Sequence, residues 1–121
     1  MTYYSPGETA DKSGFTLDTL RYYDKIGLLG DIDRTAGGRR RFTDDDLSWL
    51  GMLRCLRDTG MPIADMQRYA ALARTDDTIP ARIALLEAHN QQIETRLDEL
   101  RAQQRHILEK IQYYRGSARS R

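Results

Sequence analysis

Along the second half of the chain, Ile79, Ile83, Leu86, Asn90, Ile93, Leu97, Leu100, Gln104, Ile107, Ile111 and Tyr114 follow one another in alternating steps of four and three residues. This is the heptad pattern of a helix that buries one narrow stripe. Residues between the seam positions are mostly charged or polar, so the stripe is all the helix can bury. At ~1.5 Å per residue the segment is ~54 Å long. A single small domain does not cover such a seam, so the pattern predicts a second copy. Folding back over the same chain is the alternative, but a face packed on a globular domain is normally wider. Asn90 and Gln104 interrupt the seam, costing stability and restricting register. Whether the two helices run parallel or antiparallel is open at this level.

The first half is punctuated differently. Ser5-Pro6-Gly7-Glu8 reads as a helix start, with Ser5 as N-cap, Pro6 in the first position and Glu8 completing a capping box. That helix stops near "KSGF". Thr16 then caps a second helix, "TLDTLRYYDKIG", with Asp18 matched to the dipole of its first turn. Two short helices joined by a glycine-containing turn form a helix-turn-helix pattern. Periodicity places Leu17 and Leu20 inward, with Thr16, Thr19 and Tyr22 outward and Tyr23 packed inside. Gly37-Gly38 suits the tip of a small β-hairpin wing. Thr43 and Asp44 to Asp46 open a third helix with Leu47, Leu50, Leu53 and Leu56 inward, ending at Gly60. Pro62 stands early in a fourth, "MPIADMQRYAALA".

Glycine is concentrated before this point, and from Ala81 to Arg115 there is neither glycine nor proline. The expected class is therefore mainly α: a winged helix-turn-helix over 1–75, a dimerisation helix over 79–115 and a flexible tail over 116–121.

Nineteen Lys and Arg against 18 Asp and Glu leave a net charge of +1, which by itself implies no partner. The distribution does. Arg34, Arg39, Arg40 and Arg41 surround the wing glycines directly after the helix-turn-helix. Guanidinium forks suit phosphate oxygens, and a wing carries them along a DNA backbone. A solvated charged loop is the plainer alternative. One cysteine excludes an internal disulfide and fits a reducing compartment. No run approaches the ~18 apolar residues of a membrane span, so a cytoplasmic protein is expected.

"LRYYDKIGLL" (Leu20 to Leu29), Gly38-x-Arg40-x-Phe42, "DDL" and "LRDTGM" together resemble the MerR family of bacterial transcription regulators, over nearly the whole chain. Pro6 and Thr9 stand where aliphatic residues are usual, and Pro62 where a capping serine is common. The resemblance implies a homodimer paired through antiparallel long helices. It implies binding to a pseudo-palindromic promoter with an overlong spacer, and untwisting of the DNA so that RNA polymerase is activated indirectly. Thr16, Thr19, Arg21, Tyr22, Arg39, Arg40 and Arg41 match the positions at which the family's reading helix and wing approach DNA.

The family's effectors differ among its branches. Metal-responsive members carry several cysteines near the end of the dimerisation helix, and this chain has none there. His89 and His106 occupy different heptad positions and are expected to face solvent, so no metal or other cofactor is expected. "CLRDTGM" with the C-terminal "KIQYY" resembles the aldehyde- and electrophile-responsive subgroup, in which Cys55 would be the sensor of a small electrophile. A buried structural cysteine is the alternative, and with it an architectural or recombination-accessory protein that bends DNA without an effector. No nucleophile–base pair, phosphate loop or metal cluster points to an enzyme.

Overall fold

The computed structural model describes residues 2–119. Five helices follow one another: α1 (Pro6–Ser13), α2 (Leu17–Lys25), α3 (Asp44–Asp58), α4 (Ile63–Ala73) and α5 (Ile79–Arg119). Local chemistry accounts for the first three starts. The Ser5 hydroxyl accepts from the Glu8 amide while the Glu8 carboxylate accepts from the Ser5 amide, at 3.1 Å each. Thr43 and Asp46 repeat that reciprocal box at α3, and the Thr16 hydroxyl caps α2 through the Thr19 amide. Each box satisfies amides that a helix start otherwise leaves orphaned. Pro62 is the residue before α4 rather than inside it, and no side chain caps that helix.

Residues through Leu85 form one compact unit and those from Leu86 onward another. In the first, α1 packs on α2 and α3, and α3 on α4, around Phe15, Leu20, Tyr23, Leu50, Leu53 and Met66. Leu50, Leu53 and Leu56 are buried as expected, but Leu47, in the first turn of α3, is only half-buried. The Trp49 indole donates to the Leu28 carbonyl at 2.7 Å and stacks on Tyr69, tying the segment after α2 to α3 and α4. The unit extends past residue 75 because the Arg82 guanidinium donates to the carbonyls of Leu72 and Thr75, holding the first turns of α5 to the end of α4.

In the second unit the helix continues to Arg119, beyond the Arg115 expected from the sequence, so the tail is helical over 116–119; Ser120 and Arg121 lie outside the described residues. Seam positions Ile83, Leu97, Leu100, Ile107, Ile111 and Tyr114 are exposed on the single chain, as are Asn90 and Gln104, while Leu86 and Ile93 are half-buried. His89, expected in solvent, is only 8 % exposed. No described helix is long and apolar enough to cross a membrane.

The wing differs from expectation. Among the described residues it contains no paired strands, only one bridge between Arg34 and Arg40. The Gly38 amide donates to the Thr35 carbonyl at 2.9 Å and the Thr35 amide to the Arg39 carbonyl at 2.8 Å. Gly38 alone of the glycine pair takes a positive φ, 83°, as the left-handed residue that follows a tight turn. The Arg41 amide adds a second cross-wing bond, to the Asp33 carbonyl at 2.9 Å, and side chains reinforce this short ladder. Arg41 donates to the Asp33 carboxylate at 2.8 Å, and Arg34 to the Gly38 carbonyl at 2.9 Å. At the base, Tyr4 and Phe42 exchange both backbone hydrogen bonds at 2.8 Å, so the N-terminal segment runs alongside the wing.

Candidate nucleic-acid interface

The arginines gathered by the wing are not equivalent. Arg41 is held twice, by Asp33 and by the Tyr3 ring 4.0 Å beneath its guanidinium. The same Arg41 hydrogen bond holds the Asp33 carboxyl below the ordinary aspartate range. Arg40 Nε lies 2.6 Å from Asp24 Oδ2, yet its N–H is not aligned for a hydrogen bond and that nitrogen is otherwise buried without a partner. The contact is thus a charge pairing that pins the wing to the end of α2. Arg34 is folded back on the wing's own backbone. Among the described residues the Arg39 side chain has no partner, and the residue is exposed. One guanidinium of the four is therefore displayed and three brace the loop that displays it.

On α2, Arg21 pairs among the described residues with Asp18 alone, at 3.6 Å with both side chains well exposed; such surface pairs hold weakly and exchange readily. Tyr22 is half exposed and free to turn its hydroxyl outward, whereas Tyr23 is buried edge-on against Phe15. Burial pushes the Tyr23 phenol above its ordinary pKa, so it stays a neutral core group. The Thr16 hydroxyl donates to that of Thr19 at 2.9 Å while accepting the Thr19 amide. Thr16 is thereby committed to the helix start, and Thr19 is half-buried.

A cleft of about 310 Å³ joins the two elements, bringing Arg21 from α2 to Arg39 and Arg40 from the wing. Its wall also includes Leu17, which the periodicity placed inward. Leu17 is 40 % exposed, because in the first turn of α2 it projects beside the wing rather than over the core. A second cleft, also about 310 Å³, lies on the other side of Arg39 and Arg40, where Tyr3 and Arg41 meet. Thr16, Thr19 and Tyr22 border neither. Sequence reasoning missed Leu17 and Tyr3; the alternation of Tyr3 and Tyr4 before a helix cap was the available signal of an extended segment.

Cys55 lies on the exposed side of α3 as a free thiol, which removes the buried-filler alternative for the single chain. Its backbone carbonyl accepts the Thr59 hydroxyl at 2.7 Å. One turn earlier stands Gly51, with open space where a Cβ would be. Helical side chains lean toward the N-terminus, so the thiol leans over a position that offers no cover. No group of three or more His, Cys, Asp or Glu able to hold a metal gathers among the described residues.

Comparison with known proteins adds a lineage. A family model described as MerR HTH family regulatory protein matches residues 4–72, and one described as MerR, DNA binding matches residues 47–110. An uncharacterised HTH-type transcriptional regulator of Haemophilus influenzae is 42% identical over 99 residues, covering 81% of this chain and 73% of that protein. Among solved structures, HiNmlR, described as a MerR family regulator lacking the sensor domain and bound to promoter DNA, superposes with a TM-score of 0.85. It is 38% identical over 94% of this chain and 91% of its own. A MerR family regulator from Listeria monocytogenes gives a TM-score of 0.87 at 34% identity, over 92% of this chain and 85% of its own.

Proposed function

The chain belongs to the MerR family of helix-turn-helix transcriptional regulators, and from that membership we propose that it activates transcription by gripping and distorting a promoter spacer as a homodimer. What carries the reading is the cleft between α2 and the wing, edged by Arg21, Arg39 and Arg40, in a chain 38% identical to a regulator described in complex with promoter DNA. Two copies, paired antiparallel through Ile83, Leu86, Asn90, Ile93, Leu97, Leu100, Gln104, Ile107 and Ile111, present two reading helices to a pseudo-palindromic site. Arg39 and Arg21 then neutralise phosphates, and Tyr22 donates to another. Arg40 and Arg41 act first on the wing, keeping Arg39 aimed. Distortion of the double-stranded DNA brings the two promoter elements into a geometry RNA polymerase accepts, so the polymerase is engaged through DNA shape.

The same reading makes Cys55 the sensor of a small electrophile such as formaldehyde or methylglyoxal. The thiolate sulfur bonds to the carbonyl carbon, the π pair moves to oxygen, and the oxygen takes a proton. What supports it is the uncovered thiol above Gly51 and the likeness to an electrophile-responsive branch.

Run-off transcription from a promoter the protein binds, with and without formaldehyde or methylglyoxal, tests both halves. Wild type should respond, and Cys55→Ser should bind DNA equally well without responding; equal responses remove Cys55 as the sensor. On the same promoter Arg39→Ala should lower affinity with little sequence bias and reduce the salt slope by about one. An unchanged slope takes Arg39 out of the phosphate contacts.

A further inference from the structure

We infer that Leu17 reads sequence, by packing against the C5 methyl group of a thymine in the major groove. The inference rests on the DNA-binding reading above and assigns one of its specificity contacts. It begins from an apolar side chain that the fold does not use. Leu17 is the first residue of α2, and the helix start is already satisfied by Thr16, which accepts the Thr19 amide. Core packing of α2 is carried by Leu20 and Tyr23, both 3 % exposed. Leu17, at 40 % exposure, is neither the cap nor part of that core.

Its position gives it another purpose. The first turn of the second helix is the part of a helix-turn-helix that meets base edges. Leu17 borders a cleft whose apolar wall is completed by Pro6, Leu20 and Phe42 and whose basic rim is Arg21, Arg39 and Arg40. An apolar wall beneath a cationic rim matches a thymidine better than any other nucleotide: the C5 methyl is the one apolar group a base pair shows in the major groove, and the backbone phosphate belonging to it takes the rim. Of the two threonines beside Leu17, Thr16 caps the helix and gives its hydroxyl proton to Thr19. Arg21 and Arg39 carry the sequence-neutral attraction beside it.

The test uses the full chain and a duplex enriched by wild-type protein from a random DNA pool. Each thymine is replaced in turn by deoxyuridine, which deletes the methyl and nothing else, and affinity is measured at fixed salt for wild type, Leu17→Ala and Leu17→Gln. Wild type should lose about fourfold at one thymine per half-site, the worth of one buried methyl group, and about fifteenfold when both half-sites are changed. Leu17→Ala should bind the thymine duplex that much more weakly and be indifferent to deoxyuridine at that position alone, with its salt slope unchanged. Leu17→Gln, matched in length, should lose the same preference, so the result does not hang on one variant's folding. The inference is overturned if wild type ignores every thymine-to-uracil change. It is equally overturned if either variant keeps the discrimination, because the methyl is then read by a residue other than Leu17. If wild type enriches no duplex at all, the DNA-binding reading falls and this inference with it, a result unlike either of the others.

Discussion

The unit through Leu85 and the helix beyond it solve the problem of apolar surface in opposite ways. In the first, Leu53 has no exposed area and the helices around it cover one another. In the second, Ile107 is 62 % exposed, and so are most of its seam partners. A core of the first kind is complete within one chain. A helix of the second kind carries its hydrophobic stripe as an unfinished surface, and isolated helices gain little stability from propensity alone. The contrast separates a core closed within one chain from a stripe that, under the proposed dimer, a second copy covers.

The strongest way to break that contrast is Ile93→Lys with Leu97→Lys, which places charges in the seam. The expected outcome is loss of the dimer in sedimentation, with the near-ultraviolet signal of Trp49 and Tyr69 preserved; a surviving dimer refutes the seam. Next in size, Leu53→Ala should lower the stability of the N-terminal unit by about 2–5 kcal/mol, the usual penalty for a cavity in a packed core. Denaturant unfolding followed at Trp49 checks it, and an unchanged midpoint would mean that Leu53 contributes little to the packing of this unit. The smallest effect concerns the wing. Because the Asp33 carboxyl is held below its ordinary range by Arg41, its contribution is present above the unfolded aspartate pKa and is lost as pH falls through the folded value. Amide shifts of Arg34 and Arg41 should therefore move together in acid. Asp33→Asn should abolish that movement.

Helix starts and the long helix were legible because each is written in a few neighbouring residues: Ser5 with Glu8, Thr16 with Thr19, Thr43 with Asp46, and an apolar step of three or four. What escaped was set by residues far apart in sequence. The wing reads as a hairpin from its glycines, yet its shape is held by Arg40 against Asp24, Arg41 against Asp33 and the Tyr4–Phe42 pairing, so arginines that looked interchangeable have different tasks. Leu17 obeys the same period as Leu20, but at the edge of a helix the period does not say whether a neighbour is there to be packed against. His89 lies outside the seam and is buried nonetheless, which a heptad register does not anticipate.

Position 14 has a consequence for how freely this architecture can drift. Gly14 ends α1 at φ 78°, and a Cβ there would sit 1.9 Å from the Arg54 guanidinium, which donates to the Ser13 carbonyl at 3.1 Å. A replacement must accept a left-handed backbone and evict that arginine in one step. The joint between α1 and α2 therefore resists substitution, and the arginine packed against it is the immediate chain neighbour of Cys55. Change in this unit meets less resistance on the surfaces around the joint, since any other residue at position 14 takes on the strain of a left-handed backbone.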